Sequence, residues 1–175
     1  MHNSWLFPHI GDFLVIILNS MLIHIANTFM REIIELLDEN LVYHDHHVYS
    51  DYIDVSVHSN RQSVSCPLCG QSSSRIHSRY HRSFHDLPIQ GKEVRIHLIN
   101  RKYFCLNLEC PQKIFAESFD FLQPNSKKTN RLLDKILNTS LEVSSVTASR
   151  LLRDDSVKVG KSTICNMLKK NHKKC

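Results

Sequence analysis

The chain has 175 residues, six cysteines and a formal net charge of +5. This length allows one sizeable core or two small domains. The N-terminus lacks a basic region followed by a clean apolar run and a small-residue cleavage site, which argues against a secretory signal peptide. We therefore expect a reducing compartment, where paired cysteines favour metal binding over disulfide bonds.

Charge is unevenly distributed along the chain. Residues 1–60 carry a balance of −7, residues 61–124 carry +4 and residues 125–175 carry +8. A C-terminal third this basic indicates a surface that binds a polyanion, with a solvated lysine-rich tail as the alternative.

The first thirty residues are apolar but interrupted. In WLFPHIGDFLVIILNSMLIHIANTFM the longest uninterrupted apolar run is 13–18, well short of the ~20 residues that cross a bilayer. We interpret this stretch as an amphipathic helix, buried or facing a partner, and expect no membrane span. Translation starting at Met21 or Met30 is an alternative.

Periodicity then predicts the following elements in chain order. A helix covers 31–41, a strand covers 52–59, an extended segment covers 74–88, a turn falls at Gly91 and a strand covers 94–105. After Pro124 the pattern is helical, over 126–140, 143–155 and 161–171. The fold class is therefore α+β: an N-terminal helix, a small β-rich zinc-ribbon-like domain and a helical domain. The predicted divisions are 1–50, 51–123 and 124–175.

Four cysteines form two pairs near predicted strand ends. CPLCG supplies Cys66 and Cys69, and CLNLEC supplies Cys105 and Cys110 after thirty-five intervening residues. Zn²⁺ takes four soft ligands in a tetrahedron, and short Cys-containing turns at neighbouring strand ends can provide them. We expect one structural Zn²⁺. Two disulfides or an iron site are the alternatives, and an open catalytic zinc is disfavoured because four thiolates leave no position for water.

Basic side chains lie on both sides of the predicted boundary. His77, His81 and His85 alternate with arginines, which favours a basic surface over a second metal site. The strand arginines are expected to contact DNA phosphates rather than bases. The candidates before the recognition helix are Arg75, Arg79, Arg82, Arg101, Lys127, Lys128 and Arg131.

The word VGKSTI at 159–164 resembles the entry to the second helix of a helix-turn-helix. That helix lies in the DNA major groove in such motifs. Lys161, Ser162, Cys165, Asn166, Lys169 and Lys170 are expected to face outward, with Asn166 able to pair with adenine. Gly160 occupies the cap position, where Ser or Thr is commoner.

These segments together resemble the N-terminal region of the ISL-three family of bacterial insertion-sequence transposases. The resemblance spans about 66–168 and rests on CPLCG, HSRY…DLP, RKYFC…CP…IFAE and SRLLRDDSVKVGKSTICNML. It implies that Cys66, Cys69, Cys105 and Cys110 bind zinc, and that a helix-turn-helix precedes a ribonuclease-H-like catalytic domain with a DDE triad. Two departures stand out: Asp155-Ser156 replaces an expected Leu-Gly, and the sequence given stops where the catalytic domain would begin.

By the resemblance, we expect the chain to bind double-stranded DNA at transposon terminal repeats, as a homodimer or a monomer, in the bacterial cytoplasm near the nucleoid. We expect no catalytic residues and no chemistry from the chain alone, as in a truncated transposase. The alternatives are a stand-alone zinc-ribbon/helix-turn-helix transcriptional regulator and a zinc-stabilised protein-interaction module.

Overall fold

The computed structural model describes residues 10–172, so 1–9 of the uncertain N-terminal segment and 173–175 of the basic tail lie outside the described residues. It confirms the α+β class. The elements are α1 (Ile10–Glu35), β1 (Leu41–Val48), β2 (Tyr52–Ser59), β3 (Val64–Ser65), β4 (Ser72–Ser73), β5 (Ile76–Ile89), β6 (Lys92–Phe104), β7 (Ile114–Ala116), α2 (Asn130–Glu142), α3 (Ser145–Asp154) and α4 (Lys161–His172).

Strand β6 is the centre of the larger sheet, whose order is β1-β2-β6-β5. One edge of β6 pairs with β5 in antiparallel fashion, and the other edge pairs first with β2 in parallel and then, near its C-terminal end, with β7. The β5–β6 hairpin turns at Gln90 and Gly91, both at positive φ (50° and 73°). Two consecutive residues at positive φ match a type I′ turn, whose twist suits a two-residue hairpin.

Alternation along the strands defines a covered face and an open face. The covered face carries Val55, Phe84, Ile96 and Leu98, each at most 1% exposed, and packs against α1 and the segment 119–122. The side chains between them in sequence, including His81 and His97, point to the other side, which we call the open face.

The N-terminal helix ends earlier than the sequence predicts. It stops at Glu35, and the backbone N–H of Asn40 donates to the Asp38 carboxylate at 2.9 Å in a turn. Such a side-chain bond two residues along the chain competes with helix continuation. Leu41 therefore begins β1, which pairs with β2, so the sheet includes residues that the sequence analysis assigned to the N-terminal segment.

The three C-terminal helices are confirmed and share a second core. Leu132, Ile136, Ala148, Leu152 and Ile164 are each at most 2% exposed. The expected opening of the first of these helices at Ser126 is wrong, because α2 is capped by Thr129, whose side chain accepts from the Leu132 N–H.

A buried carboxylate joins the sheet to the helices. Asp86, 4% exposed, accepts from the Thr129 hydroxyl at 2.7 Å and from the Arg131 guanidinium at Nε (2.8 Å) and a terminal nitrogen. The backbone of His85 also bonds the chain just before α2, at Lys127 and Thr129. These bonds fix α2 against the end of β5.

No helix among residues 10–172 has the length and apolar character to cross a membrane.

Candidate metal centre and basic surfaces

The first cysteine pair lies in a tight turn between β3 and β4. The N–H of Cys66 donates to the Gln71 carbonyl, and the N–H of Gly70 donates to the Cys66 carbonyl, both at 2.9 Å. Gly70 has φ 74°, a left-handed conformation that a side chain disfavours. The turn reverses the chain within the spacing of CPLC and directs both sulfurs to one side.

The second pair lies in the connection from β6 to β7. The Cys105 N–H donates to the Lys113 carbonyl at 2.9 Å, and the Cys110 N–H donates to the Asn107 carbonyl at 3.2 Å. The Asn107 side chain also accepts from the Glu109 N–H at 2.9 Å. The longer C-x4-C spacing is thus folded into an ordered loop at the end of the central strand.

All four sulfur atoms converge. The Sγ atoms of Cys66, Cys69, Cys105 and Cys110 lie within 4.8 Å of one another, and Cys69 and Cys105 are 3.5 Å apart. Tetrahedral Zn²⁺ at about 2.3 Å from each sulfur places the sulfurs about 3.8 Å apart. The site therefore fits zinc with little rearrangement, and the predicted structural zinc and its four cysteines are confirmed as a group.

A small apolar core supports the cluster. Cys66 and Cys110 are 2% and 3% exposed and pack with Tyr103 and Phe115, whose ring centroids are 6.0 Å apart. Cys69 is exposed at the rim. This core is too small to hold the two turns together by apolar burial alone, so metal binding supplies the missing stability, as is usual in small domains.

The thiols have unequal acidity. A hydrogen bond from the Gln71 backbone lowers the pKa of Cys69 to about 7. Burial raises the pKa of Cys105 to about 12 and also raises the pKa of Cys110. Zinc requires thiolates, so its binding displaces the protons that these groups retain at neutral pH.

Among the described residues, this is the one place where three or more metal-ligating side chains converge. His77, His81 and His85 do not form a second metal site. Strand β5 has a bulge between Ile76 and Ser78, so His77 does not continue the regular face that His81 and His85 share. The His77 ring instead packs edge-on against Phe104.

A zinc ribbon attached to a mixed sheet is the class that this fold and site define. Residues 62–110 match the family model described as the zinc-finger of transposase IS204/IS1001/IS1096/IS1165, and the matched range contains all four cysteines. The zinc-binding region is therefore similar to that of ISL-three-family transposases. Comparison with curated proteins and with solved structures gave no match.

The strand arginines do not form one surface. Arg79 is exposed on the open face, whereas Arg82 shares the covered face with Phe84 and donates to the carbonyls of Gln123 (2.8 Å) and Ser126 (3.2 Å). Residues three apart on a strand point to opposite sides, so the expected grouping of Arg79 with Arg82 is wrong. Arg75 is exposed, and its guanidinium lies 4.8 Å from the Phe104 ring centroid.

Two of the candidate arginines bind buried carboxylates instead of facing solvent freely. Arg101 contacts Glu117 at 3.0 Å, and the Glu117 side chain is fully buried and also accepts from the Ser59 hydroxyl at 2.5 Å. Arg131 contacts Asp86 as described above. The sequence analysis missed this role, although Asp86 and Glu117 lie in the DLP and IFAE words that carry the family resemblance.

A polar row crosses the open face and was also missed. His97 lies between Asp54, 3.1 Å from its Nε2, and the Ser83 hydroxyl, 2.9 Å from its Nδ1. These residues come from β2, β6 and β5, and a parallel pairing between β2 and β6 is needed to align them. Nothing in the local sequence indicates that pairing.

The helical unit leaves one side of α4 open. Ile164 is 1% exposed and packs into the helical core, while Lys161, Ser162, Asn166, Lys169 and Lys170 are exposed. The structure places Cys165 only partly at the surface, with its Sγ 3.5 Å from the Ser145 hydroxyl of α3. Lys127 is exposed and Lys128 is half-buried beside β5.

The connection from α3 to α4 spans 155–160 and holds Val157 and Val159 in the helical core. Ser156, where the family pattern has Gly, adopts φ 62°, and its hydroxyl donates to the Gly91 carbonyl of the β5–β6 turn. Ser149 donates to the Val159 carbonyl at 2.8 Å, which fixes the entry to α4. The longer connection is therefore ordered and anchored to the sheet.

Proposed function

We propose that this chain is the DNA-binding part of an insertion-sequence transposase and recognises the terminal repeats of its element. The observation that carries the proposal is the match of the zinc-binding residues to a transposase zinc finger, in a chain whose helical unit also carries a helix, α4, with exposed basic side chains. The proposed units remain 1–50, 51–123 and 124–175, with β1 contributing to the sheet of the second.

In this proposal, α3 and α4 act as a helix-turn-helix and α4 enters the major groove. The buried side of α4 is fixed by Ile164, so the exposed side can present Lys161, Ser162 and Asn166 from its first turns. Backbone N–H groups at this helix end also favour a phosphate. Asn166 is the proposed base-reading residue because an amide can pair with adenine in two hydrogen bonds.

Phosphate contacts are assigned to exposed basic side chains that make no ion pair within the described part of the chain. Arg75, Arg79, Lys127, Lys169 and Lys170 are exposed, and none of them appears in the ion pairs of the described residues. Arg82, Arg101 and Arg131 are removed from the proposed contacts because carbonyls or buried carboxylates occupy their guanidiniums. Lys128 is half-buried, so it is proposed to make only a minor contact with DNA phosphate.

A homodimer is part of the proposal, because an element with two terminal repeats presents two copies of the binding site and paired recognition helices suit paired sites. The site of action would be the bacterial cytoplasm, at the nucleoid. Strand cleavage needs carboxylates that hold two metal ions about 4 Å apart. The metal-ligating side chains that converge among the described residues are the four cysteines, and in this proposal they hold a structural ion while the chain binds DNA without cleaving it.

The test is a fluorescence-anisotropy titration of the zinc-loaded chain against a duplex carrying the element's terminal repeat and a scrambled duplex, at two salt concentrations. Asn166→Ala should weaken binding to the repeat about ten-fold, the change that ~1.4 kcal/mol of lost discrimination gives, and leave the scramble unchanged. Thr163→Ala, an exposed change on the edge of the same helix, is the matched control and should alter neither.

Changes at phosphate contacts should behave differently. Lys169→Ala, Lys170→Ala and Arg79→Ala should weaken both duplexes alike, and each should reduce the slope of log affinity against log salt by about one. If the chain binds both duplexes equally and Asn166→Ala has no effect while zinc content and helicity are normal, α4 is not the reader and end recognition is wrong. Specific binding at a promoter would favour the regulator, and no DNA binding would favour the interaction module.

A further inference from the structure

The N-terminal helix carries two apolar stripes. The sheet covers the C-terminal end of one of them, while Ile23 in the same stripe stays 63% exposed. Met30 and Ile34 are 5% and 1% exposed against the covered face of the sheet, and the Tyr43 hydroxyl donates to the Asn27 side chain at 2.9 Å on the same side of α1. The second stripe points away from the sheet. It consists of Leu18, Leu22, Ile25 and Phe29 in α1 and Leu36 in the turn directly after the helix, which are 52%, 63%, 61%, 53% and 80% exposed.

This second stripe, which we call the seam, has the spacing of a coiled coil. Its residues recur after four, three, four and seven positions, with Glu32 filling the one remaining place. A heptad of this kind keeps one narrow line of side chains facing a partner helix. The seam runs over about 27 Å at 1.5 Å per residue. Contiguous exposed apolar surface of this extent is uncommon on a monomer and marks a contact surface.

The chemistry of the seam favours a second copy of the same helix. The residues that flank the seam are Met21, Ala26, Thr28, Ile33 and Glu35. Of these, Glu35 alone is charged, so no pattern of opposite charges along the seam selects a different partner. A parallel pair would set Glu32 against Glu32. An antiparallel pair instead sets Glu32 against the apolar half of the other helix and aligns the two helix dipoles favourably.

The available area is sufficient for a specific contact. A half-exposed large side chain such as Phe29 offers about 100 Å². Five seam residues on each of two copies therefore bring roughly 1,000 Å² to the contact, where specific interfaces begin, and the flanking Met21 and Ile33 add to it.

We infer that two copies of this chain associate through the seam of α1, in an antiparallel helix pair. The contact is independent of the DNA-binding surface, because α1 packs on the sheet through β1 whereas α4 belongs to the helical unit. A failed test of dimerisation would therefore leave the proposed recognition of terminal repeats intact, and a failed test of recognition would leave the proposed dimer intact.

Sedimentation equilibrium of the full, zinc-loaded chain tests the inference. The expected mass at tens of micromolar is twice the 20.4 kDa of one chain. Leu22→Glu should weaken the dimer about 100-fold or more, since it buries a charge twice in one contact. His24→Glu, two residues away on the exposed polar side of the helix, is the matched control and should leave the dimer unchanged.

Glu32→Leu should strengthen dimerisation, and a loss of folding would not produce a tighter dimer. It completes the apolar seam and should tighten the dimer about ten-fold or more, the change that one added buried apolar side chain gives. A chain that stays monomeric at about 100 µM, or equal weakening by Leu22→Glu and His24→Glu, would overturn the inference. Binding of the monomeric chain to neutral phosphatidylcholine vesicles, lost in Leu22→Glu, would replace the second copy by a lipid surface.

Discussion

Replacing Asp86 by Asn should loosen the joint between the sheet and the helices. The Asp86 carboxylate is 4% exposed and accepts three hydrogen bonds, one from Thr129 and two from Arg131. An amide keeps the shape but replaces one acceptor oxygen by a donor, so it cannot bind the guanidinium in the same two-bond arrangement. The arginine is then left half-buried beside a neutral group.

The expected loss is about 2–3 kcal/mol of unfolding free energy, below the 3–5 kcal/mol of a fully buried pair because the Arg131 side chain keeps 35% of its exposure. Urea unfolding followed by circular dichroism at 222 nm measures it. Glu109→Gln, the same chemical change at an exposed carboxylate, is the control and should change stability by less than about 0.5 kcal/mol. A loss of that small size for Asp86→Asn would show that the joint does not depend on this carboxylate.

Three further predictions concern the metal centre and the hairpin. Cys105→Ser should abolish stoichiometric zinc binding and unfold the region 52–122, because ~10–16 kcal/mol of metal-binding free energy is lost. Cys165→Ser is the control and should retain both the zinc and the fold. Metal analysis measures the zinc content, and circular dichroism measures the folding. Zinc binding at pH 6 should release close to four protons, because free thiols are almost fully protonated at that pH; within the folded site the pKa of Cys69 is about 7 and those of Cys105 and Cys110 are raised, so folding alone does not remove these protons. Affinity should therefore rise with pH. Calorimetry in buffers of different ionisation enthalpy counts the protons, and a release of two or fewer would be inconsistent with four thiolate ligands. Gln90→Asn should stabilise the chain by about 0.5–1 kcal/mol in urea unfolding, because Asn tolerates the φ of 50° at this turn better than Gln does; a destabilised hairpin would show that the Gln90 side chain has a role of its own.

The sequence was sufficient for features that depend on local spacing. The strand at 52–59, the long hairpin around Gly91, the three C-terminal helices and the four zinc ligands each follow from a period or a pair spacing that is visible in the chain. The convergence of Cys66 and Cys69 with Cys105 and Cys110 could be expected because short turns at strand ends point their thiolates in one direction.

Features that depend on long-range pairing were not visible. The β1 strand begins at Leu41, inside a stretch with helical periodicity, and its place in the sheet depends on pairing with β2. The partners of Arg101 and Arg131 are 16 and 45 residues away, so charge counting alone assigned these arginines to solvent and to DNA. Charge counting also does not reveal the face of Arg82: a strand alternates sides at every residue, so Arg82 lies on the opposite side of β5 from Arg79, three residues before it.

The seam of α1 lay between these two cases. Its apolar residues are evident in the sequence. The expected amphipathic helix, buried or facing a partner, is consistent both with the stripe that packs on the sheet and with the stripe that stays exposed. Only the packing of Met30 and Ile34 on the sheet shows which stripe is used within the chain and which remains exposed.

X-ray absorption at the zinc edge of the purified chain tests the metal centre most directly. We expect one zinc per chain with four sulfur ligands at about 2.3 Å and no nitrogen or oxygen in the first coordination sphere. Fewer than four sulfur ligands, a histidine nitrogen among them, or a chain that folds without metal would contradict the assignment of Cys66, Cys69, Cys105 and Cys110 as the structural zinc site.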